Sequence, residues 1–290
     1  MSVVPASHEL DSNGIRLVVH DWGGADVPVL LAHATGFHGR LWAPIAERLV
    51  ATGHHVWSFD FRGHGDSDAP DLDYSWHGFA DDVLSVAHHL DLAGDSKLLA
   101  CGHSKGGASL LLAEQKQPGT FGRIWAFEPI IFPTETALPP QEDFFMARTA
   151  RKRRNEWHSI DEAFTAYASK PPLNVMTEAS LRAYVEYGMR SRDDGMFELK
   201  CRPEVEARVY SMGPNHGAYA RLGEVGSDVL VVCGETSTDI GPPLAVKITE
   251  RLRHGRVEVM AGLGHFGPQQ DPDACVASMV RFAAAPSTPI

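Results

Sequence analysis

The segment Lys97–Gly107, KLLACGHSKGG, constrains the fold of this chain more than any other. An apolar, strand-like run at 98–101 leads directly into G-H-S-K-G, and a helical pattern, ASLLLAEQKQ, follows. A serine at such a sharp turn is held in a strained backbone conformation, so the residues two before it and two after it must lack bulk. Gly102 and Gly106 meet that requirement. The segment therefore predicts a strand-to-helix elbow that presents Ser104 as a nucleophile.

Strand-like and helix-like segments alternate on both sides of this elbow, over residues 1–131 and again over 214–290. Near-continuous apolar strands separated by helices predict a mostly parallel sheet covered on both faces. Residues 132–213 lack this alternation and are dominated by helical patterns. We interpret them as a lid inserted between two parts of one core, over the carboxyl edge of the sheet where open α/β folds bind ligands.

Charge and composition exclude several functional classes. The net charge of -11 argues against a nucleic-acid partner or an anionic membrane surface, both of which need a basic footprint. The first residues resemble no signal peptide, and no run approaches the length needed to span a bilayer. The four cysteines, which lie far apart without a C-x-x-C pair, disfavour zinc binding; they are Cys101, Cys201, Cys233 and Cys275. We expect a soluble, cytoplasmic, disulfide-free protein.

An activated serine needs a base, and His265 is the best candidate among 15 histidines. It follows the last predicted strand in LGHFG, after the lid, which fits the chain order serine, acid, histidine. We expect three other histidines, His33, His64 and His103, to pack structurally beside the sheet edge.

Two carboxylates could orient that base. Asp239 follows the strand VLVVC and satisfies the chain order, although it could instead cap the next helix. Glu128 ends the strand before the lid, in WAFEPI, where a charge among apolar residues is costly unless it is paired. Its alternative role is a salt bridge to a lid arginine. The chain order favours Asp239.

A serine hydrolase also needs an oxyanion hole, built from backbone N–H groups. The N–H of Lys105 lies at the start of the helix after the elbow, where the helix dipole assists it. We expect the second donor in the loop after VLLAHAT and assign the N–H of Thr35, with Ala34 as the alternative.

With these motifs in place, the sequence resembles the α/β-hydrolase fold family, in its lidded branch of esterases, lactonases and C–C hydrolases. The resemblance rests on five motifs in chain order: HATGFHG, FDFRGHGDSD, GHSKGG, GETSTD and GLGHFGP. It implies a mostly parallel eight-stranded sheet flanked by helices, with a helical lid between strands 6 and 7.

The sequence also departs from the family pattern. The family usually has His-Gly where this chain has His33-Ala34, and Gly234–Asp239 is longer than the usual Gly-x-x-Asp. Haloalkane dehalogenases place their acid after the sixth strand, where Glu128 lies. They and the epoxide hydrolases use an aspartate nucleophile, which Ser104 excludes.

The resemblance implies a serine hydrolase of a small carboxylic ester or lactone that needs no cofactor and no metal. Its partner would be a small molecule, and the chain would act as a monomer or homodimer. The same machinery could hydrolyse a C–C bond in a diketone-like substrate, and a ligand-sensing protein on a hydrolase scaffold is the alternative from another class.

Two further groups of charged residues stand out. Arg62 and Asp66 lie in a loop that braces the elbow in this family, and we interpret them as structural. The lid carries a basic cluster, which either forms a solvated surface or offers one or two arginines to a substrate carboxylate; its members are Arg148, Arg151, Lys152, Arg153 and Arg154.

Overall fold

The computed structural model describes residues 4–71, 74–133 and 144–286. Its strands are β1 (Ala6–Ser12), β2 (Ile15–Gly23), β3 (Pro28–Ala32), β4 (His55–Asp60), β5 (Leu99–His103), β6 (Arg123–Phe127), β7 (Glu156–Trp157), β8 (Met189–Ser191), β9 (Phe197–Leu199), β10 (Asp228–Gly234) and β11 (Gly255–Met260). Its α-helices are α1 (Ala43–Ala51), α2 (Trp76–His89), α3 (Lys105–Lys116), α4 (Phe145–Arg151), α5 (Ile160–Ala168), α6 (Glu178–Gly188), α7 (Pro203–Ser211), α8 (Pro242–Thr249), α9 (Gly267–Gln270) and α10 (Pro272–Ala284).

Eight strands form the main sheet, in the order β1-β2-β4-β3-β5-β6-β10-β11. Strand β2 runs antiparallel to both β1 and β4, and every other neighbouring pair is parallel. This confirms the predicted mostly parallel eight-stranded sheet. The central strands β3, β5 and β10 are buried along their whole length, as expected for strands covered on both faces.

Local sequence signals set the ends of several helices. Ser75, Ser159, Thr177 and Asp271 each accept a hydrogen bond from a backbone N–H in the first turn of the helix that follows. These caps define where α2, α5, α6 and α10 begin. Within the described ranges, no helix has the length and apolar character that crossing a membrane requires.

The apolar residues form two large clusters, one on each face of the sheet. One cluster joins the interior of β2 to α2 and α3, through residues such as Leu17, Phe79 and Leu111. The other joins β3 and β6 to α1, α10 and the lid helix α6, through residues such as Trp42 and Trp125. Because both clusters pack against the central strands of the sheet, the ends of β5, β6 and β10 are held close together.

The described part of the segment between β6 and β10, where the sequence predicts a lid, adds no strand to the main sheet. From residue 144 onward it consists mainly of α4, α5, α6 and α7. It also contains a small sheet in the order β7-β9-β8, which was not predicted because strands of two or three residues are too short to show a period. Residues 134–143 of the predicted lid lie outside the described residues.

A charged cluster lies inside the core beside β4. Asp60 is 1% exposed and accepts hydrogen bonds from the backbone N–H groups of Gly39 and Asp66. Burial alone would raise its pKa, but the contact with His20 and the nearby His38 outweigh burial and lower it. The Asp60 carboxylate therefore stays ionised in the core.

Burial acts in the opposite direction on the surrounding histidines. It lowers the pKa of His38 to about 4 and holds the pKa values of His33 and His64 well below the usual 6.5. All three are therefore neutral in the folded protein near pH 6, where the unfolded chain begins to take up protons.

We predict from this that acid destabilises the fold at unusually mild pH. As pH falls below 6.5, each of these histidines should reduce the free energy of unfolding by up to about 1.4 kcal/mol per pH unit, until its folded-state pKa is reached. Urea unfolding at pH 7, 6 and 5 measures how the free energy of unfolding depends on pH. His38→Gln should lower this slope by up to about 1.4 kcal/mol per pH unit, because the unfolded chain then takes up one proton fewer. An unfolding free energy that stays constant from pH 7 to pH 5 would contradict the prediction.

Candidate active site

Ser104 lies at the turn between β5 and α3, as the sequence predicted. Its φ of 55° and ψ of −113° place a non-glycine residue in a strained region of backbone conformation. Two hydrogen bonds fix the turn. The Ser104 N–H donates to Phe127 O at 2.9 Å, and the Ser104 carbonyl accepts from the N–H of Ala108 at 3.1 Å. The expected elbow is therefore confirmed.

The flanking glycines are required by close backbone contacts. A Cβ atom on Gly102 would lie 2.5 Å from the nitrogen of Gly107, and one on Gly106 would lie 2.2 Å from the carbonyl oxygen of Ala32. Backbone cannot give way as a flexible side chain can, so only glycine allows α3 to pack this tightly against β3 and β5.

His265 lies in the loop after β11, and its side chain is hydrogen-bonded to Glu128. The distance from His265 Nδ1 to Glu128 Oε2 is 2.7 Å. A carboxylate can only accept, so Nδ1 carries the proton and Nε2 is left with a free lone pair. The ring has the tautomer that a general base needs.

Glu128 follows β6 directly and is 1% exposed, with an unusual φ of 44°. Its N–H donates to Val232 O at 2.8 Å, and its Oε1 accepts from the N–H of Gly234 at 2.9 Å. The buried charge is thus compensated by one backbone donor on β10 and one histidine.

The preference for Asp239 as the orienting acid is therefore corrected. Asp239 is exposed, and in the described part of the chain it makes no hydrogen bond or ion pair. It does not cap α8 either, since that helix begins after Gly241 without a side-chain cap. The chain-order rule favoured Asp239, whereas the cost of a lone buried charge had marked Glu128, the carboxylate that contacts His265.

The two backbone N–H groups predicted for the oxyanion hole belong to Thr35 and Lys105. Lys105 is the first residue of α3, and Thr35 lies in the loop that follows β3. Neither N–H donates a hydrogen bond to another described residue. Both N–H groups are therefore available to an external oxygen atom.

A model of the alpha/beta hydrolase family matches residues 29–278. The chain belongs to this family. Among curated relatives, it is 24% identical over 280 residues to 2-(acetamidomethylene)succinate hydrolase from Mesorhizobium japonicum, covering 96% of this chain and 95% of that one. It is also 29% identical over 151 residues to the non-heme chloroperoxidase of Streptomyces lividans, in a match that spans 49% of this chain and 54% of that one.

The crystal structure of E-2-(acetamidomethylene)succinate hydrolase has the same fold. It superposes with a TM-score of 0.81 at 21% identity, covering 97% of this chain and all of that one. At this identity the likeness establishes the fold alone.

The side chain of Lys105 adds a feature of this alpha/beta hydrolase that the sequence did not indicate. It is 1% exposed, and its ammonium nitrogen lies 3.9 Å from the ring centre of Phe61 and 4.3 Å from that of Phe79. It has no hydrogen-bond partner among the described residues, and burial lowers its pKa to about 7. The amine is held by two aromatic faces and is partly neutral at physiological pH.

Nearby, the predicted bracing loop is structural as expected. Arg62 is 2% exposed and forms a buried ion pair with Asp82, with Nη2 and Oδ1 2.7 Å apart. Asp66 is bound at the surface by Lys200.

The lid's basic cluster divides into an exposed part and one inward arginine. Arg148, Arg151, Lys152 and Arg154 are exposed. Arg153 instead forms an ion pair with Glu206 and donates to the hydroxyl groups of Tyr184 and Tyr167.

This cluster, formed by the buried Glu206 and Tyr184 and the half-buried Arg153 and Tyr167, lies against the loop after β3. A Cβ atom on Gly36 would lie 2.5 Å from Glu206 Oε1, and the Tyr184 ring centre is 5.6 Å from that of Phe37. The sequence gave no sign of which arginine would turn inward, because the choice depends on contacts with α6 and α7.

We predict that Glu128→Gln lowers kcat/KM for a p-nitrophenyl ester by about 10³-fold or more, because a neutral amide neither fixes the tautomer of His265 nor stabilises its charged form. Asp239→Asn is the matched control and should stay within about twofold of the parent, as surface changes do. Thermal midpoints show whether each variant is folded. If Asp239→Asn were inactive and Glu128→Gln normal, Asp239 would be the carboxylate that orients His265.

Proposed function

We propose that this chain is a cofactor-independent serine hydrolase that cleaves a small carboxylic ester or lactone through an acyl-enzyme on Ser104. The observation that carries the proposal is the bond from His265 to buried Glu128, beside a strained serine at the head of α3. A serine, a histidine of fixed tautomer and a buried carboxylate form the set that nucleophilic acyl transfer needs.

In the first step Ser104 Oγ attacks the substrate carbonyl carbon while His265 Nε2 takes the hydroxyl proton. The imidazolium that forms is stabilised by Glu128, and it then protonates the departing alcohol. Water, activated by the same histidine, releases the acid product. No hydrogen bond between Ser104 and His265 is present among the described contacts, and such bonds often tighten only when substrate binds.

The negative oxygen of the tetrahedral intermediate would bind the N–H groups of Thr35 and Lys105. Each such donor contributes about 10²- to 10³-fold to the rate in acyl-transfer enzymes, because it is already oriented toward the developing charge. The dipole of α3 favours the same charge, since the Lys105 N–H lies at the start of that helix.

A fluorophosphonate probe and a p-nitrophenyl ester series test the proposal together. The probe should label the parent enzyme on Ser104, as located by peptide mass spectrometry, and short-chain esters should turn over. Ser104→Ala should lose both reactions and keep its thermal midpoint, because removing one hydroxyl opens little cavity. Labelling of another residue, with Ser104 unmodified, would refute the mechanism.

The same assay separates the alternatives. Labelling of Ser104 without turnover of any ester or lactone, followed by cleavage of a β-diketone, would show C–C bond hydrolysis. Labelling without any turnover would favour a ligand-sensing role.

The lid supports a finer proposal, that the substrate carries a carboxylate. Arg153 belongs to the cluster that contacts the loop after β3, and 20% of its side chain is exposed. Among the described residues, its bonds to Glu206 and the two tyrosines use three of its five N–H groups. A carboxylate could bind there while the reacting carbonyl lies at Ser104. One relative is named for a succinate derivative, which is consistent with this substrate class.

We predict that p-nitrophenyl hemisuccinate is hydrolysed with a higher kcat/KM than p-nitrophenyl butyrate, its uncharged analogue. Hydrogen bonds to charged groups contribute about 1.5–3 kcal/mol, so the preference should reach about 10- to 100-fold. The double variant Arg153→Met/Glu206→Met removes both buried charges together and should lose the preference while remaining folded.

Arg154→Met is the matched control, because Arg154 is exposed and bonded to Glu162 at the surface. Arg154→Met should keep the full preference for the hemisuccinate ester. If the double variant also keeps that preference, Arg153 does not bind the substrate.

A further inference from the structure

His103 is the last residue of β5 and directly precedes Ser104, yet the mechanism above does not use it. Its ring is fully buried. The ring centre lies 4.9 Å from that of His265, 5.8 Å from that of Phe127 and 6.0 Å from that of Phe37. The ring therefore fills the space between the elbow and the loop that carries the proposed base.

A single hydrogen bond connects these two segments. His103 Nε2 lies 2.8 Å from the backbone carbonyl oxygen of His265. A carbonyl can only accept, so Nε2 must carry the proton. The other nitrogen, Nδ1, is buried and has no partner among the described residues. Burial, with a smaller effect of His265, holds the pKa of His103 well below 6.5, so the ring keeps this neutral form across the working pH range.

His265 is consequently held at two separate points. Glu128 holds its side chain from the end of β6, and His103 holds its main chain from the end of β5. The loop is also held by bonds from Thr236 to Leu263 O and from the Gly264 N–H to Gln270 Oε1. Among the described residues, the bond from His103 is the one that joins this loop to β5.

We propose that His103 is a positioning residue that sets the distance between Ser104 and His265 by fixing the main chain of the base loop to the nucleophile strand. The proposal rests on the function proposed above. Since β5 carries Ser104 at its end, the bond links nucleophile and base without passing through Glu128.

Two substitutions separate the hydrogen bond from the packing. His103→Leu fills the site without a donor, whereas His103→Gln can place its amide N–H where Nε2 lies. We expect His103→Leu to lower kcat by about 10- to 100-fold with KM nearly unchanged, because misplacement by about 1 Å can cost 10²-fold in rate. His103→Gln should recover most of that loss.

His216→Leu is the control, because the half-buried His216 also donates from Nε2 to a backbone carbonyl, that of Ile130, at 2.7 Å. It should reduce stability comparably while keeping kcat. A wild-type kcat in His103→Leu, or equal losses in His103→Leu and His103→Gln, would overturn the proposal.

Hydrogen exchange measured by mass spectrometry adds a readout that does not depend on activity. Amides at residues 261–270 should exchange faster in His103→Leu than in the parent or in His103→Gln. Unchanged exchange in His103→Leu would overturn the positioning role. A parent enzyme that no fluorophosphonate labels would defeat the proposed hydrolase function, and the exchange result would still decide whether His103 fixes the loop.

Discussion

The hydrogen bond between Glu128 and His265 is the interaction on which the rest of the site depends. Burying a carboxylate is expensive unless its oxygens are hydrogen-bonded, and here one oxygen binds the N–H of Gly234 while the other binds His265 Nδ1. This requires the ends of β6 and β10 and the loop after β11 to meet at one point. The parallel order of the central strands produces that meeting, because it brings their carboxyl ends to one edge of the sheet.

The backbone turn at Ser104 depends on a different set of contacts. The strained backbone of Ser104 persists only because its surroundings leave no alternative: bonds to Phe127 and Ala108 fix it, and Gly102 and Gly106 allow the neighbouring backbone to approach. Because these neighbours are rigid, the backbone at Ser104 needs no further rearrangement when a substrate binds. The Arg153–Glu206 pair lies against the loop that follows β3, since a Cβ atom on Gly36 would lie 2.5 Å from Glu206 Oε1.

Much of this could be predicted from the sequence, because some signals are local. The elbow needs glycine at fixed spacing, and buried parallel strands need continuous apolar runs, so the turn at Ser104, the mostly parallel sheet and the loop of His265 follow from nearby residues. The contact between Glu128 and His265 did not follow, since Asp239 matched a rule of chain order whereas Glu128 was marked only by its apolar neighbours. The bond from His103 to a carbonyl 162 residues away leaves no trace in any short segment. The inward turn of Arg153 likewise depends on helices that come later in the chain.

Proton NMR of the enzyme labelled with ¹⁵N-histidine can show whether the buried Glu128 carboxylate holds the Nδ1 proton of His265. A strong hydrogen bond to an ionised carboxylate shifts such a proton far downfield. We predict a low-field ¹⁵N-bound resonance in the parent and in Asp239→Asn, absent from His265→Ala and moved upfield in Glu128→Gln, where the acceptor is neutral. A resonance that is unchanged in Glu128→Gln but lost in Asp239→Asn would contradict it.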